Sequence, residues 1–70
     1  MSESVYKVIE LVGTSPESFE KATAAAIQLA SRTLRDLRVA EISQLDVTIK
    51  DGKVEAYRAK LKISFKYEAQ

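Results

Sequence analysis

The sequence predicts an α+β fold in which one long helix lies on a three-stranded antiparallel sheet, in the order β-α-β-β and with spatial strand order 1-3-2. Three observations carry that expectation. Residues 57–67, YRAKLKISFKY, alternate apolar and polar side chains without a break, as a strand with one buried face does. Residues 16–37 repeat their apolar side chains at helical spacing. Asp51-Gly52 separates two stretches rich in Val and Ile, a strong short-range signal for a hairpin.

Residues 4–12, SVYKVIELV, read as the first strand. Gly13 is expected to break it. Ser15 then serves as N-cap, with Pro16 at the first helical position, where its missing N–H costs nothing. The helix is predicted from Pro16 to Leu37. Phe19, Ala22, Thr23, Ala26, Ala30, Thr33 and Leu37 form its apolar stripe, flanked by Ile27, Leu29 and Leu34. The alanines allow another element to approach closely. Glu17 and Glu20 lie near the positive end, and Arg32, Arg35 and Arg38 near the negative end. Glu17–Lys21 and Arg32–Asp36 have the spacing of ion pairs along a helix. Residues 39–50 and 53–67 read as the second and third strands. A right-handed crossover makes the first two strands parallel, with the third inserted between them.

Residues 1–70 are expected to form a single domain. With 46% apolar residues, the chain is too hydrophobic for a disordered segment. Cysteine and histidine are both absent, which excludes disulfides, thiol nucleophiles, imidazole bases and the usual zinc sites. A formal net charge of +1 gives no push toward nucleic acid. No apolar run approaches a membrane span and no signal peptide is expected, so the expectation is a cytoplasmic protein without membrane or nucleic-acid partners. Domains this small bury only about 60% of their unfolded surface. Self-association is therefore expected before any motif is considered.

The third strand places Tyr57, Ala59, Leu61, Ile63 and Phe65 toward the helix. Arg58, Lys60, Lys62 and Lys66 project from the bare face. That face is either simply solvated or an anion or ligand surface. A two-residue turn at Asp51-Gly52 pairs Glu41 with Lys62 and Leu45 with Arg58. It leaves Leu45, Val47, Ile49, Val54 and Ala56 on the bare face. A longer turn, or a bulge near Ser43–Gln44, moves that group to the core side. No catalytic constellation emerges. The serines and threonines lack a histidine, and Lys60 would be a perturbed amine only if buried. Glu41, Asp46, Asp51 and Glu55 do not form an EF-hand loop. The glycines are isolated, so no loop cradles a phosphate. The aromatics of the third strand face away from its cations, which argues against RNA stacking. An enzyme is not expected.

YKVIELVGTSPESFEKA, followed by a helix and a hairpin ending YRAKLKISFKY, resembles the dodecins across the whole chain, most specifically in Val12-Gly13-Thr14-Ser15. The resemblance implies a homododecamer of cubic (tetrahedral) symmetry, a hollow shell with helices outside and sheets lining the lumen. Lumenal carboxylates or bound anions should balance the cations. It also implies a non-catalytic protein that binds or stores a small molecule, a flavin such as FMN or riboflavin in the flavin dodecins, between subunits. Flavin dodecins carry a tryptophan just before an A/F-E-V stretch. Here Ala40-Glu41-Ile42 follows Val39. They carry a glutamine after the tyrosine of the third strand. Here Tyr57 is followed by Arg58. The implied ligand-binding positions are therefore Val39 and Arg58, with Glu41, Leu45 and Lys60 as further candidates. Arg38-Val39-Ala40 with Tyr57-Arg58 resembles the calcium dodecin subgroup, whose metal ligands transfer to no particular residue here. The expectation is a small-molecule shell with its flavin site altered or lost. The alternative is a structural or ion-binding assembly for calcium or anions.

Overall fold

In the computed structural model, which describes residues 3–67, the first strand runs past the glycine expected to end it. The elements are β1 (Tyr6–Ser15), α1 (Phe19–Thr33), β2 (Leu37–Lys50) and β3 (Lys53–Lys66). The sheet has the predicted order β1-β3-β2, and β3 is antiparallel to both neighbours. Gly13 stays in β1 opposite Ala59. Its role is close approach. A Cβ there would stand 2.0 Å from the Ala22 carbonyl oxygen and 3.1 Å from the Ala26 Cβ. No side chain fits between this strand and the helix.

The helix is shorter than its apolar period suggests, and both ends move inward. Ser15 is drawn into the sheet opposite Tyr57, and its Oγ accepts the Glu17 N–H at 3.0 Å. The N-cap is Ser18, in extended conformation, whose Oγ accepts the Lys21 N–H. Ser15 and Ser18 have equal capping chemistry, and strand pairing decides between them. At the other end, Leu34 still donates its N–H to Ala30 but has extended backbone. Leu34 and Leu37 leave the helix and pack on the core from the connection and from β2. The turn passes through Asp36 at φ 59°, in the left-handed region that Asp tolerates better than most residues. The expected Arg32–Asp36 pair is therefore lost, and Asp36 lies 3.9 Å from Arg38 instead. Of the three arginines assigned to the helix end, only Arg32 lies in the last turn. Glu17 and Lys21 pair as expected. Leu29, expected to flank the stripe, is exposed.

Ala22, Ala26 and Ala30 form the buried face of α1, against Ala59, Leu61 and Ile63 of β3. Ile9, Leu11 and Ile27 close the edges of this core. Phe19 packs edge-on to Tyr57, with centroids 5.1 Å apart, and ties the helix start to the middle of the hairpin. The helix lies chiefly over β1 and β3. Beyond it, Leu45, Ile49 and Val54 remain about half exposed or more.

The hairpin combines the two expected registers. Asp51 (φ 53°) and Gly52 (φ 74°) form the two-residue turn, with Lys50 opposite Lys53. The register then shifts between Ile49 and Thr48, leaving Glu55 unpaired in β3. It shifts back between Ile42 and Gln44, leaving Ser43 unpaired in β2. Between these bulges Leu45 pairs with Ala59, Val47 with Tyr57 and Asp46 with Arg58. Beyond them Glu41 meets Lys62. Leu45, Val47, Ile49 and Val54 thus lie on the helix side, while Ala56 stays on the bare face beside Thr48. A third shift leaves Arg38 unpaired between Leu37 and Val39.

Replacing Gly13 with Ala forces β1 away from α1. We expect a loss of about 1–3 kcal/mol, as overpacking typically costs. Thermal unfolding should show a Tm several degrees lower, and an unchanged Tm would refute the close approach.

Candidate ligand-binding face

Strand alternation and the observed register arrange the bare face in rows across β1, β3 and β2. Val8, Ser64 and Val39 form one row, followed by Glu10, Lys62 and Glu41. Then come Val12, Lys60 and Gln44, and finally Thr14, Arg58 and Asp46. The cations of β3 project where the alternation placed them. The edge strands bring carboxylates to the same face, Glu10 and Glu41 on either side of Lys62 and Asp46 beside Arg58.

Asp46 and Arg58 form a two-pronged contact on this face. Arg58 Nε donates to Asp46 Oδ1 at 2.7 Å, and Nη2 donates to Oδ2 at 3.0 Å. This is the two-pronged geometry that suits a guanidinium and a carboxylate. Arg58's hydrogen bonds hold the Asp46 carboxyl below its ordinary range. Desolvation opposes them, and the charges of Arg58 and Lys60 reinforce them to a lesser degree. The same hydrogen bond raises the pKa of Arg58. Arg58 is therefore committed within its own chain.

The candidate residues fall into separate places. Val39, Glu41, Arg58 and Lys60 share the bare face, whereas Leu45 lies on the helix side opposite buried Ala59. Val39 pairs with Ser64. Arg58 lies six residues back along β3, about 20 Å away at the rise of a strand. One chain does not bring these two side chains into a common pocket. Val39 instead lines an open hollow of about 470 Å³ with Tyr6, Arg38 and Ser64. It also borders a smaller one of about 150 Å³ with Ile27, Leu37, Arg38, Ala40 and Ile63. Tyr6 and Arg38 were not legible as site residues. Tyr6 could have been found by carrying strand alternation across β1, but the bulge at Arg38 leaves no periodic signal. Among the described residues no three acidic side chains gather as a metal site, and no helix is long and apolar enough to cross a membrane.

The folded Asp46 carboxyl gives up its proton at lower pH than the unfolded one. The pair is then complete above the ordinary carboxylate range and lost only as pH falls through the lowered value. Carbon-detected NMR should show Asp46 titrating below the ordinary value in the parent and returning toward it in Arg58→Gln. Equal titration in both proteins would remove the pair from the account.

The sequence model described as Dodecin matches residues 5–68. The chain is 46% identical over 63 residues to a calcium dodecin from Mycobacterium tuberculosis, covering 90% of this chain and 89% of that protein. It is 42% identical over 64 residues to a dodecin from Thermus thermophilus, covering 91% and 93%. The structure of dodecin from Streptomyces coelicolor superposes with a TM-score of 0.94 at 40% identity, covering 100% of both chains. With the match running from β1 through the hairpin in sequence and in backbone, this chain belongs to the dodecin family.

Proposed function

We propose that residues 1–70 act as one unit of a non-catalytic homododecameric shell of tetrahedral symmetry, working in the cytoplasm and binding or storing a small molecule on its sheet face. The observation that carries this reading is the amount of apolar surface one chain leaves uncovered. Tyr6, Val8, Val12 and Val39 are exposed on the bare face, and Leu45, Ile49 and Val54 beyond the helix. A lone soluble chain rarely presents patches of that extent. Partner subunits covering the hairpin, and a ligand seated on the sheet, account for both groups.

In this reading the flavin site is altered at both of its signature positions. Val39 offers no ring, and losing an aromatic stacking partner forfeits about 0.5–1.5 kcal/mol beyond buried area. Arg58 lacks the amide's acceptor, and its Nε and Nη2 already donate to Asp46. A pocket that uses both positions must draw them from different subunits. The kinship with a calcium dodecin favours a second reading, in which the shell holds calcium. Glu10, Glu41 and Asp46 share the sheet face, and chelation would then combine carboxylates from several chains. Calorimetric titration of the assembled protein with calcium chloride, riboflavin and FMN separates the two. Heat from calcium alone supports the second reading.

Light scattering at micromolar concentration should report a dodecamer; a folded monomer of 7.8 kDa would end this proposal. Leu45→Asp should retain the circular dichroism of the parent, because Leu45 is half exposed within one chain. It should nevertheless reduce assembly. Val39→Trp combined with Arg58→Gln should raise riboflavin affinity by roughly tenfold if the pair recovers about 1.4 kcal/mol. Each single change should give less, because the two act on one bound pose. An intact double mutant with no gain would mean that the pocket has been remodelled elsewhere.

A further inference from the structure

We propose that the Asp46–Arg58 pair is a register lock, holding the hairpin in one of two pairings that place its apolar residues on opposite faces of the sheet. The two pairings share both ends. Lys50 opposite Lys53 and Glu41 opposite Lys62 fit an uninterrupted two-residue hairpin. Between them, the bulges at Glu55 and Ser43 displace residues 44–48 of β2 by one position along β3. β1 pairs with β3 as far as Tyr57, so the central strand is pinned and the 44–48 segment is the part that can slide. Losing both bulges puts Leu45 opposite Arg58, Asp46 opposite Tyr57 and Val47 opposite Ala56. A slip of one residue exchanges the faces of every side chain in the segment. Leu45, Val47, Ile49 and Val54 then stand on the bare face.

Hydrophobic burial decides little between the two pairings within one chain. Leu45, Ile49 and Val54 are 49%, 69% and 51% exposed as the hairpin stands. Register is weakly specified where neither face is covered. The bulges also interrupt the ladder at two places. Polar contacts offset that loss. Ser43 Oγ donates to the Lys60 carbonyl at 3.2 Å, which supports the strand where Ser43 is left unpaired. Arg58 donates twice to Asp46, and it does so only while Asp46 stands directly opposite on the same face. Two parallel charge-assisted bonds fix geometry as well as adding energy, which sets this pair apart from an ordinary surface ion pair. In the slipped pairing the carboxylate instead faces Tyr57, beside the Phe19 ring, with no guanidinium in reach.

The chain has no cysteine, so introduced pairs report the register without background. A disulfide needs Cβ atoms about 3.5–4.5 Å apart, which directly opposed residues provide and residues on different faces do not. Thr48→Cys with Ala56→Cys reads the pairing described above, and Val47→Cys with Ala56→Cys reads the slipped one. Oxidised glutathione should close the first pair and spare the second, seen as loss of both thiols from a band of monomer mobility on a denaturing gel. Adding Asp46→Ala should reverse that preference. Asp46→Arg with Arg58→Asp rebuilds the pair with its charges exchanged and should restore it. The lock is overturned if the slipped pair closes while Asp46 is intact, or if Asp46→Ala leaves the preference unchanged. Closure of neither pair in Asp46→Ala, or no recovery with the exchanged charges, overturns it as well. The consequence for assembly rests on the shell proposed above. Light scattering should show Asp46→Ala assembling less, because its apolar hairpin residues have changed face. A reversed cross-link with undiminished assembly would leave the lock in place and count against the hairpin as a subunit contact.

Discussion

One mismatch of lengths governs this molecule. The helix has 15 residues and spans about 22 Å, while the hairpin strands have 14 residues each and span about 46 Å. The long dimension of the subunit, 54 Å against 20 and 16 Å, is the sheet's. One helix covers roughly half of one sheet face. The buried apolar core is correspondingly small, with three alanines of α1 meeting Ala59, Leu61 and Ile63 of β3. Close approach compensates for lack of bulk, and it is possible only because Gly13 and the alanines put backbone nearly against backbone. Everything the helix does not reach stays uncovered within one chain, Leu45, Ile49 and Val54 included.

The uncovered sheet face is organised chemically. Carboxylates from β1 and β2 fall among the cations of β3, so the strand's four positive charges do not stand alone. The two arginines divide the work. Arg58 is neutralised in place by Asp46 at the hairpin end, and Arg38 stands at the far end with its donors largely uncommitted. The apolar hollow lies at that far end. Apolar and charged regions are thus segregated along the face.

Bulges are what give the face that organisation. Without the shifts at Glu55 and Ser43, Asp46 would not stand opposite Arg58, and Leu45 and Val47 would point toward the bare face. Two insertions of opposite sense cancel over the length of the hairpin, so the register matches a simple two-residue turn at both Lys50–Lys53 and Glu41–Lys62 and departs from it between them. The middle of the hairpin thereby turns its apolar residues to the side where Phe19 and Tyr57 pack.

The sequence by itself determined much of what is local or periodic. Alternation in β3 named its buried face, the Asp51-Gly52 pair placed the turn, and reading the sheet as a split β-α-β unit gave the strand order. The alanine stripe announced a close helix contact. The family was legible in Val12-Gly13-Thr14-Ser15, and the same resemblance implied Val39 and Arg58 as flavin-pocket positions. What only the tertiary structure decided is where competing local preferences were settled by packing. Ser15 and Ser18 can each cap a helix, and the pairing of Ser15 with Tyr57 selects Ser18. Leu34 and Leu37 fit the helical period, and the core draws them off it. The unpaired residues at 38 and 55 leave no trace in periodicity, and the bulge near Ser43 stood only as one of two alternatives, because the energy that favours them comes from strands distant in sequence. The distance between Val39 and Arg58 is of the same kind, since it depends on a register that no single strand encodes.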